Sequence, residues 1–189
     1  MDPVTQGTVG AILPQALANK RSAVWATICG LMAGLAPDLD VLIRSENDPL
    51  LFLEYHRQFT HSLIFIPVGG SLVGLFLYFL VGQKRGHSLN TTLIFSNLGY
   101  ATHALLDSFT TYGTVLLWPF SETRFAWNLI SIIDPIFTVP ILLAVALGAF
   151  TRRGRYACAG LAWAFLYLSL AFFQQRSAVQ LGVQIAQSR

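Results

Sequence analysis

Charge is what this sequence has least of. Of 189 residues, 12 are Lys or Arg and 9 are Asp or Glu, 11% in all, where a soluble domain carries about 25%. So few charges cannot cover a water-facing surface, which excludes an ordinary soluble globule. A hydrophobic share of 54% excludes intrinsic disorder, which needs low hydrophobicity and high charge. Cysteine is nearly absent as well. Cys29 and Cys158 both fall in apolar runs and read as packing residues, not as a disulfide or redox pair. There is no Gly-x-Ser-x-Gly segment and no phosphate-cradling glycine loop, so the usual nucleophile and nucleotide motifs are missing. Met1-Asp2-Pro3 lacks the basic leader of a cleavable signal peptide. Without linkers or repeats, one membrane-embedded domain over residues 1–189 is expected.

What is present is apolar sequence in long stretches. Residues 62–83, 156–175 and 135–151 contain no Asp, Glu, Lys, Arg or His over 22, 20 and 17 positions. A spanning helix needs about 20 apolar residues, so 63–82, 157–173 and 136–150 are expected to cross a bilayer. Residues 22–37 form a shorter run. Residues 89–107 span only if the bilayer accepts His103 and Asp107. Residues 3–18, rich in Gly, Thr and Gln, suit a short, tilted or interfacial helix. The fold class expected is all-α, a polytopic membrane bundle of five or six helical segments.

The few charges are ordered. Lys20, Arg21, Lys84, Arg85, Arg152, Arg153 and Arg155 are seven of the twelve basic residues and occupy three short connections without acids. The alternate connections, 37–60 and 107–134, hold most of the acids. The positive-inside rule puts the basic connections in the cytoplasm and the acidic ones outside. Basic residues paired beside spans are explained by topology, so no nucleic-acid partner is expected.

Some ionisable residues are not explained by topology. Asp38 and Asp40 follow Pro37, His56 and His61 bracket a short segment, and His103 and Asp107 are four apart. That last spacing places an imidazole and a carboxylate on one helix face. Asp38 and Asp40 suit a turn, and His56 and His61 reach one site only if the chain turns between them. Thr60 is placed to cap a helix beginning at His61 or Ser62. Asp38, Asp40, His56, His61, His103 and Asp107 are thus six candidate ligands on one membrane side. Mixed imidazole and carboxylate donors favour zinc, with manganese or iron as alternatives. Six donors exceed one tetrahedral site and suit two or three ions, the arrangement used in phosphoester hydrolysis. Ionisable groups near hydrocarbon are costly and mark function. Asp2 and Asp134, each before a proline, read as helix N-caps. Glu46, Asp48, Glu54 and Glu122 read as solvated loop charges, and His87 as a solvated residue in a basic loop.

Taken in order, Asp2-Pro3-Val4-Thr5-Gln6, Pro37-Asp38-Leu39-Asp40, His56-Arg57-Gln58-Phe59-Thr60-His61-Ser62 and His103-Ala104-Leu105-Leu106-Asp107 resemble the YdjM/YbcI family of membrane-bound metal-dependent hydrolases. Thr111-Tyr112-Gly113-Thr114, Trp118-Pro119-Phe120-Ser121 and Ile133-Asp134-Pro135 continue the resemblance. It covers residues 2–135 and implies a multi-pass protein of the bacterial inner membrane. The family's first motif usually ends in histidine where this chain has Gln6. Either the cluster is smaller here, or Gln6 contributes only a supporting hydrogen bond. The motifs are similar, more distantly, to zinc-dependent phospholipase C and P1 nuclease, through the His-x-x-x-Asp spacing.

The expected function is hydrolysis of a phosphoester of a membrane lipid or lipid-linked substrate by metal-activated water, at a site facing the periplasm. Asp38 or Asp40 would bridge metals or act as base, Asp107 would fix a metal, and Tyr112, Trp118 and Arg124 would line the substrate cleft. The alternatives are a metal transporter or sensor, and a non-catalytic protein with a structural metal.

Overall fold

The computed structural model describes residues 1–43, 48 and 56–188. The described residues form six α-helices: α1 (Pro3–Leu17), α2 (Ala23–Leu35), α3 (Ile66–Leu77), α4 (Leu89–Ser108), α5 (Pro135–Thr151) and α6 (Gly154–Gln187). Among the described residues no strand forms, and one isolated bridge pairs Thr114 with Phe125. The expected all-α bundle is what the chain adopts. Among the described residues three stretches are long and apolar enough to cross a membrane, Ala23–Leu42, Leu63–Arg85 and Gly154–Gln187, while Pro135–Thr151 is a shorter apolar helix.

Two helices begin as their sequence dictates. Asp2 and Asp134 each accept a hydrogen bond from the amide three residues on, Thr5 at 3.0 Å and Phe137 at 3.1 Å, with proline at the first helical position. Thr5 and Thr138 then share a hydroxyl hydrogen bond of 2.6 Å, which fixes the starts of α1 and α5 beside each other. The Tyr167 hydroxyl of α6 donates to Asp134 at 2.7 Å.

The helix that sequence makes look interfacial lies at the centre. α1 packs against α2, α4, α5 and α6, and Gln6, Gly10, Ile12 and Gln15 are buried. Its small and polar residues are the means of that burial. A Cβ on Gly10 would come within 2.5 Å of the Gly30 carbonyl and 2.8 Å of the Gly34 Cα, so the α1 and α2 backbones touch. The same Gly30 meets Gly99 of α4, where a Cβ would lie 2.6 Å from the Gly30 Cα. In lipid, where no hydrophobic force drives helices together, such close approach supplies the attraction. Gln15 Nε2 adds hydrogen bonds to Thr27 Oγ1 and the Val145 carbonyl.

α3 packs on α4, and the α5–α6 pair closes the other flank of α1. Their outward sides carry Leu72, Phe76, Leu143, Phe150, Phe165 and Phe173, all exposed. That is the surface lipid would cover. The three basic connections gather at one end. Trp25 at the start of α2 stacks on His87 before α4, centroids 4.7 Å apart, and Gly154 packs against the backbone of Ala16. His87 is therefore a packed residue, and burial together with Arg85 lowers its pKa. The C-terminal ends of α2 and α4 lie at the opposite end, and there the acidic and imidazole side chains meet.

Candidate metal centre

Pro37 ends α2 as a regular helix, since it cannot continue the hydrogen-bond ladder, and the chain tightens into a 3-10 turn, Ala36–Leu42. Asp38 and Asp40 sit on that turn. His56 and Arg57 lie on a tight turn, followed by a second 3-10 turn, Phe59–His61, so His56 and His61 face one region with ring centroids 5.9 Å apart. His103 and Asp107 come from the last turns of α4. All six sequence-derived ligand candidates converge here, and Glu46 and Glu54 lie outside the described residues.

The donors form two overlapping groups. One is Asp38, His61, His103 and Asp107, and the other is Asp38, Asp40 and His56; within each, the ligand atoms lie within 4.8 Å of one another. His61, His103 and Asp107 are fully buried, and the Asp38 side chain is 27% exposed. His61 Nε2 and His103 Nε2 are 2.9 Å apart. Asp38 Oδ1 lies 3.5 and 3.3 Å from them, and Asp107 Oδ2 3.5 and 3.7 Å.

Hydrogen bonds fix the state of both rings. His103 Nδ1 is 2.6 Å from the Gly34 carbonyl, which only accepts, so Nδ1 carries the proton. Thr60 Oγ1 donates to Asp40 Oδ2 at 2.9 Å, so toward His61 Nδ1, also at 2.9 Å, it must accept. Each neutral ring therefore presents an Nε2 lone pair to the other, flanked by two carboxylates. Asp107 Oδ2 is buried without a hydrogen-bond partner. Only a positive centre reconciles four acceptors at these distances, either a proton or a metal cation. Burial opposes charge on His61, but Asp107, Asp38 and Asp40 outweigh it and raise its pKa to about 10. These buried Asp and His groups could hold a metal ion, and the imidazoles are oriented by the partners that ligating histidines ordinarily have.

The surrounding contacts hold the donors in place. Asp40 Oδ1 pairs with His56 Nδ1 at 2.7 Å, and Asp40 Oδ2 accepts from the Arg57 amide at 3.1 Å. Thr60 was expected to cap a helix; instead its hydroxyl joins Asp40 to His61, its carbonyl accepts from Tyr100, and α3 starts later, at Ile66. Asp107 Oδ1 accepts from the Met1 α-amino group at 2.5 Å and from Gln6 Nε2 at 2.8 Å. Gln6 thus supports a donor through a hydrogen bond.

Arg57, which the sequence offers only as part of the His56–Ser62 motif, belongs to the site as well. It is 8% exposed, and its Nε lies 3.4 Å from Asp107 Oδ2. The connection between α4 and α5 folds over this region through the Val115 amide, which donates to the Arg57 carbonyl, and the Leu63 amide, which donates to the Leu116 carbonyl. Tyr112 reaches the cluster through Arg57, whose Cζ is 5.4 Å from the ring centre. Trp118 packs near Phe59, centroids 6.1 Å apart, and Arg124 is exposed. Beside Asp40 a groove of about 280 Å³ runs along Thr60, Gly69 and Tyr100 to Leu39 and Leu72 on the exposed apolar surface.

The YdjM inner membrane protein family matches residues 1–178. The chain belongs to that family. Among its relatives, the inner membrane protein YbcI of Escherichia coli (strain K12) is 30% identical over 133 residues, covering 68% of this chain and 75% of YbcI. The uncharacterized protein YfhP of Bacillus subtilis (strain 168) is 26% identical over 144 residues, 76% of this chain. This chain spans only 43% of YfhP. No solved structure matches. Family membership makes this an inner membrane protein family member with helices that could cross the bilayer and an Asp/His cluster at one end of them.

Proposed function

We propose that the chain is a membrane-bound, metal-dependent hydrolase that cleaves a phosphoester of a lipid or lipid-linked substrate at the outer, periplasmic face. The observation that carries this reading is the approach of His61 Nε2 and His103 Nε2 to 2.9 Å between two carboxylates. Asp38, His61, His103 and Asp107 would hold one ion, and Asp38, Asp40 and His56 could hold a second. Two imidazoles among the donors favour zinc over the hard, oxygen-seeking cations. When bound, such an ion acidifies water toward pH 7 and polarises a phosphoryl oxygen. The chain does the rest. Gly34 and Thr60 hold the Nδ1 side of each imidazole, Asp40 keeps Thr60 and His56 in place, and Asp38, part-exposed, lies on the open side. The groove beside Asp40 supports a lipid substrate, because its apolar walls lead to the lipid-facing surface.

A second reading has its own support. Four protein donors are the complement of a closed structural zinc site, and such a site would bind metal without catalysis. Partial exposure of Asp38 favours an open one.

Purified protein is expected to bind at least one zinc per chain by native mass spectrometry, and His61→Ala and His103→Ala to lose it. Because His61 holds a proton up to about pH 10, zinc uptake at neutral pH should release a proton, and affinity should rise about tenfold per pH unit in this range. Failure of the wild type to bind zinc, manganese or iron would remove the basis of the reading. Orientation is tested separately, after Cys29 and Cys158 are replaced by alanine. Cysteines at Gln83 and Thr151 should be shielded from an impermeant thiol reagent in intact cells, whereas one at Ser121 should label. The opposite pattern would turn the site to the cytoplasm.

A further inference from the structure

We infer that Arg57 is the anion-binding residue of this site, taking a phosphate oxygen of the substrate beside the ion. The inference rests on the metal-dependent reading above and adds the group that recognises the substrate's charge. Arg57 is fixed from both sides, its amide donating to Asp40 Oδ2 and its carbonyl accepting from the Val115 amide at 3.2 Å. Its φ of 64° lies in the left-handed region, which is unfavourable for a residue with a side chain. A position where glycine would be easiest instead carries a long cation, and strain of this kind collects at functional sites.

The guanidinium has more donors than partners. Its Nε faces Asp107 Oδ2 at 3.4 Å, while Nη1 is buried with no hydrogen-bond partner. A buried donor without an acceptor is costly unless something arrives to meet it. On its other side stands Tyr112, 63% exposed, so the guanidinium lies between the buried carboxylate and an exposed ring. A counter-charge to Asp107 would account for Nε alone. Once a cation neutralises Asp107, the fork can turn to an incoming anion, and its planar geometry matches two phosphate oxygens. The same chemistry would take a lipid phosphate or a soluble phosphoester.

The test is calorimetric, on the full-length, zinc-loaded protein in detergent, titrated with inorganic phosphate. Arg57→Gly suits the backbone and removes the fork, and Arg57→Gln keeps the length without the charge. Both are expected to bind phosphate about tenfold more weakly or worse, with zinc content unchanged; if the glycine variant does not fold, the glutamine variant decides. Dihexanoylphosphatidic acid binding more tightly than glycerol 3-phosphate identifies a lipid source, equal affinities a soluble one, and in both cases the loss in the Arg57 variants must follow. Unchanged phosphate affinity in a zinc-loaded Arg57 variant, or no phosphate binding by the zinc-loaded wild type, overturns the inference and leaves the metal reading standing. Joint loss of zinc and phosphate overturns it too, making Arg57 a structural counter-charge. A wild type that takes up no metal overturns the metal reading instead, and Arg57 is then judged by the same titrations without zinc.

Discussion

Asp107→Asn is expected to lower hydrolysis of detergent-dispersed phospholipids and generic phosphodiesters by about a hundredfold or more, since even the partners of a metal ligand are worth 10- to 100-fold. The substitution keeps the volume but cannot keep the site. If the new amide NH₂ takes the place of Oδ1, it meets the Met1 amino group and Gln6 Nε2, both donors. If it takes the place of Oδ2, its hydrogens point at the imidazole lone pairs and at Arg57, where a cation would sit. Either orientation opposes metal binding, and Arg57 loses its counter-charge. Folding must therefore be checked beside activity, by size-exclusion profile and thermal midpoint. Glu46→Gln is the comparison expected to stay active, because sequence gives Glu46 no ligand partner at helical spacing. Equal activity in the wild type and Asp107→Asn would falsify the role given to Asp107. No activity in either, with zinc bound, would favour the structural-metal reading.

The second large effect lies away from the donors. Gly30→Val should destabilise the bundle by about 3 kcal/mol or more, at the upper end of overpacking effects. A Cβ on Gly30 would lie 2.8 Å from the Ala11 Cα and 2.8 Å from the Pro14 ring, and would also strike the Gly10 carbonyl. Most of these neighbours are backbone and cannot turn aside. Separating α1 from α2 would also displace Gly34, whose carbonyl orients His103. Gly182→Ala is the comparison, since a Cβ there meets nothing within 4 Å. Loss of monodisperse protein and of zinc in Gly30→Val, with neither in Gly182→Ala, is the expected result. A stable, zinc-binding Gly30→Val protein would mean that the helices do not cross at these glycines.

What sequence revealed was what spacing encodes locally. Charge-free runs marked the helices, Asp-Pro pairs marked the starts of α1 and α5, and the four-residue interval of His103 and Asp107 marked one face of α4. The basic connections were legible as one end of the bundle. Contacts between residues far apart in the chain were not. Composition made α1 look like a short, tilted or interfacial helix because Gly, Thr and Gln carry little hydropathy, whereas in a bundle they permit backbone contact and internal hydrogen bonds. One local signal for this existed, since Gly30 and Gly34 stand four apart, as do Gly70 and Gly74. Thr60 looked like a cap because its partner Asp40 is 20 residues away. Arg57 showed only as part of the His56–Ser62 motif because only the fold brings it to Asp107.

The groove beside Asp40 counts Leu39 and Leu72 among its walls, both exposed on the apolar flank, and they offer a route in from the lipid-facing surface. A molecule entering by that route never leaves the membrane plane. Encounter then becomes a two-dimensional search, and turnover would scale with the mole fraction of substrate in the bilayer or micelle. Diluting the substrate with inert detergent should slow the reaction even when its bulk concentration is held constant.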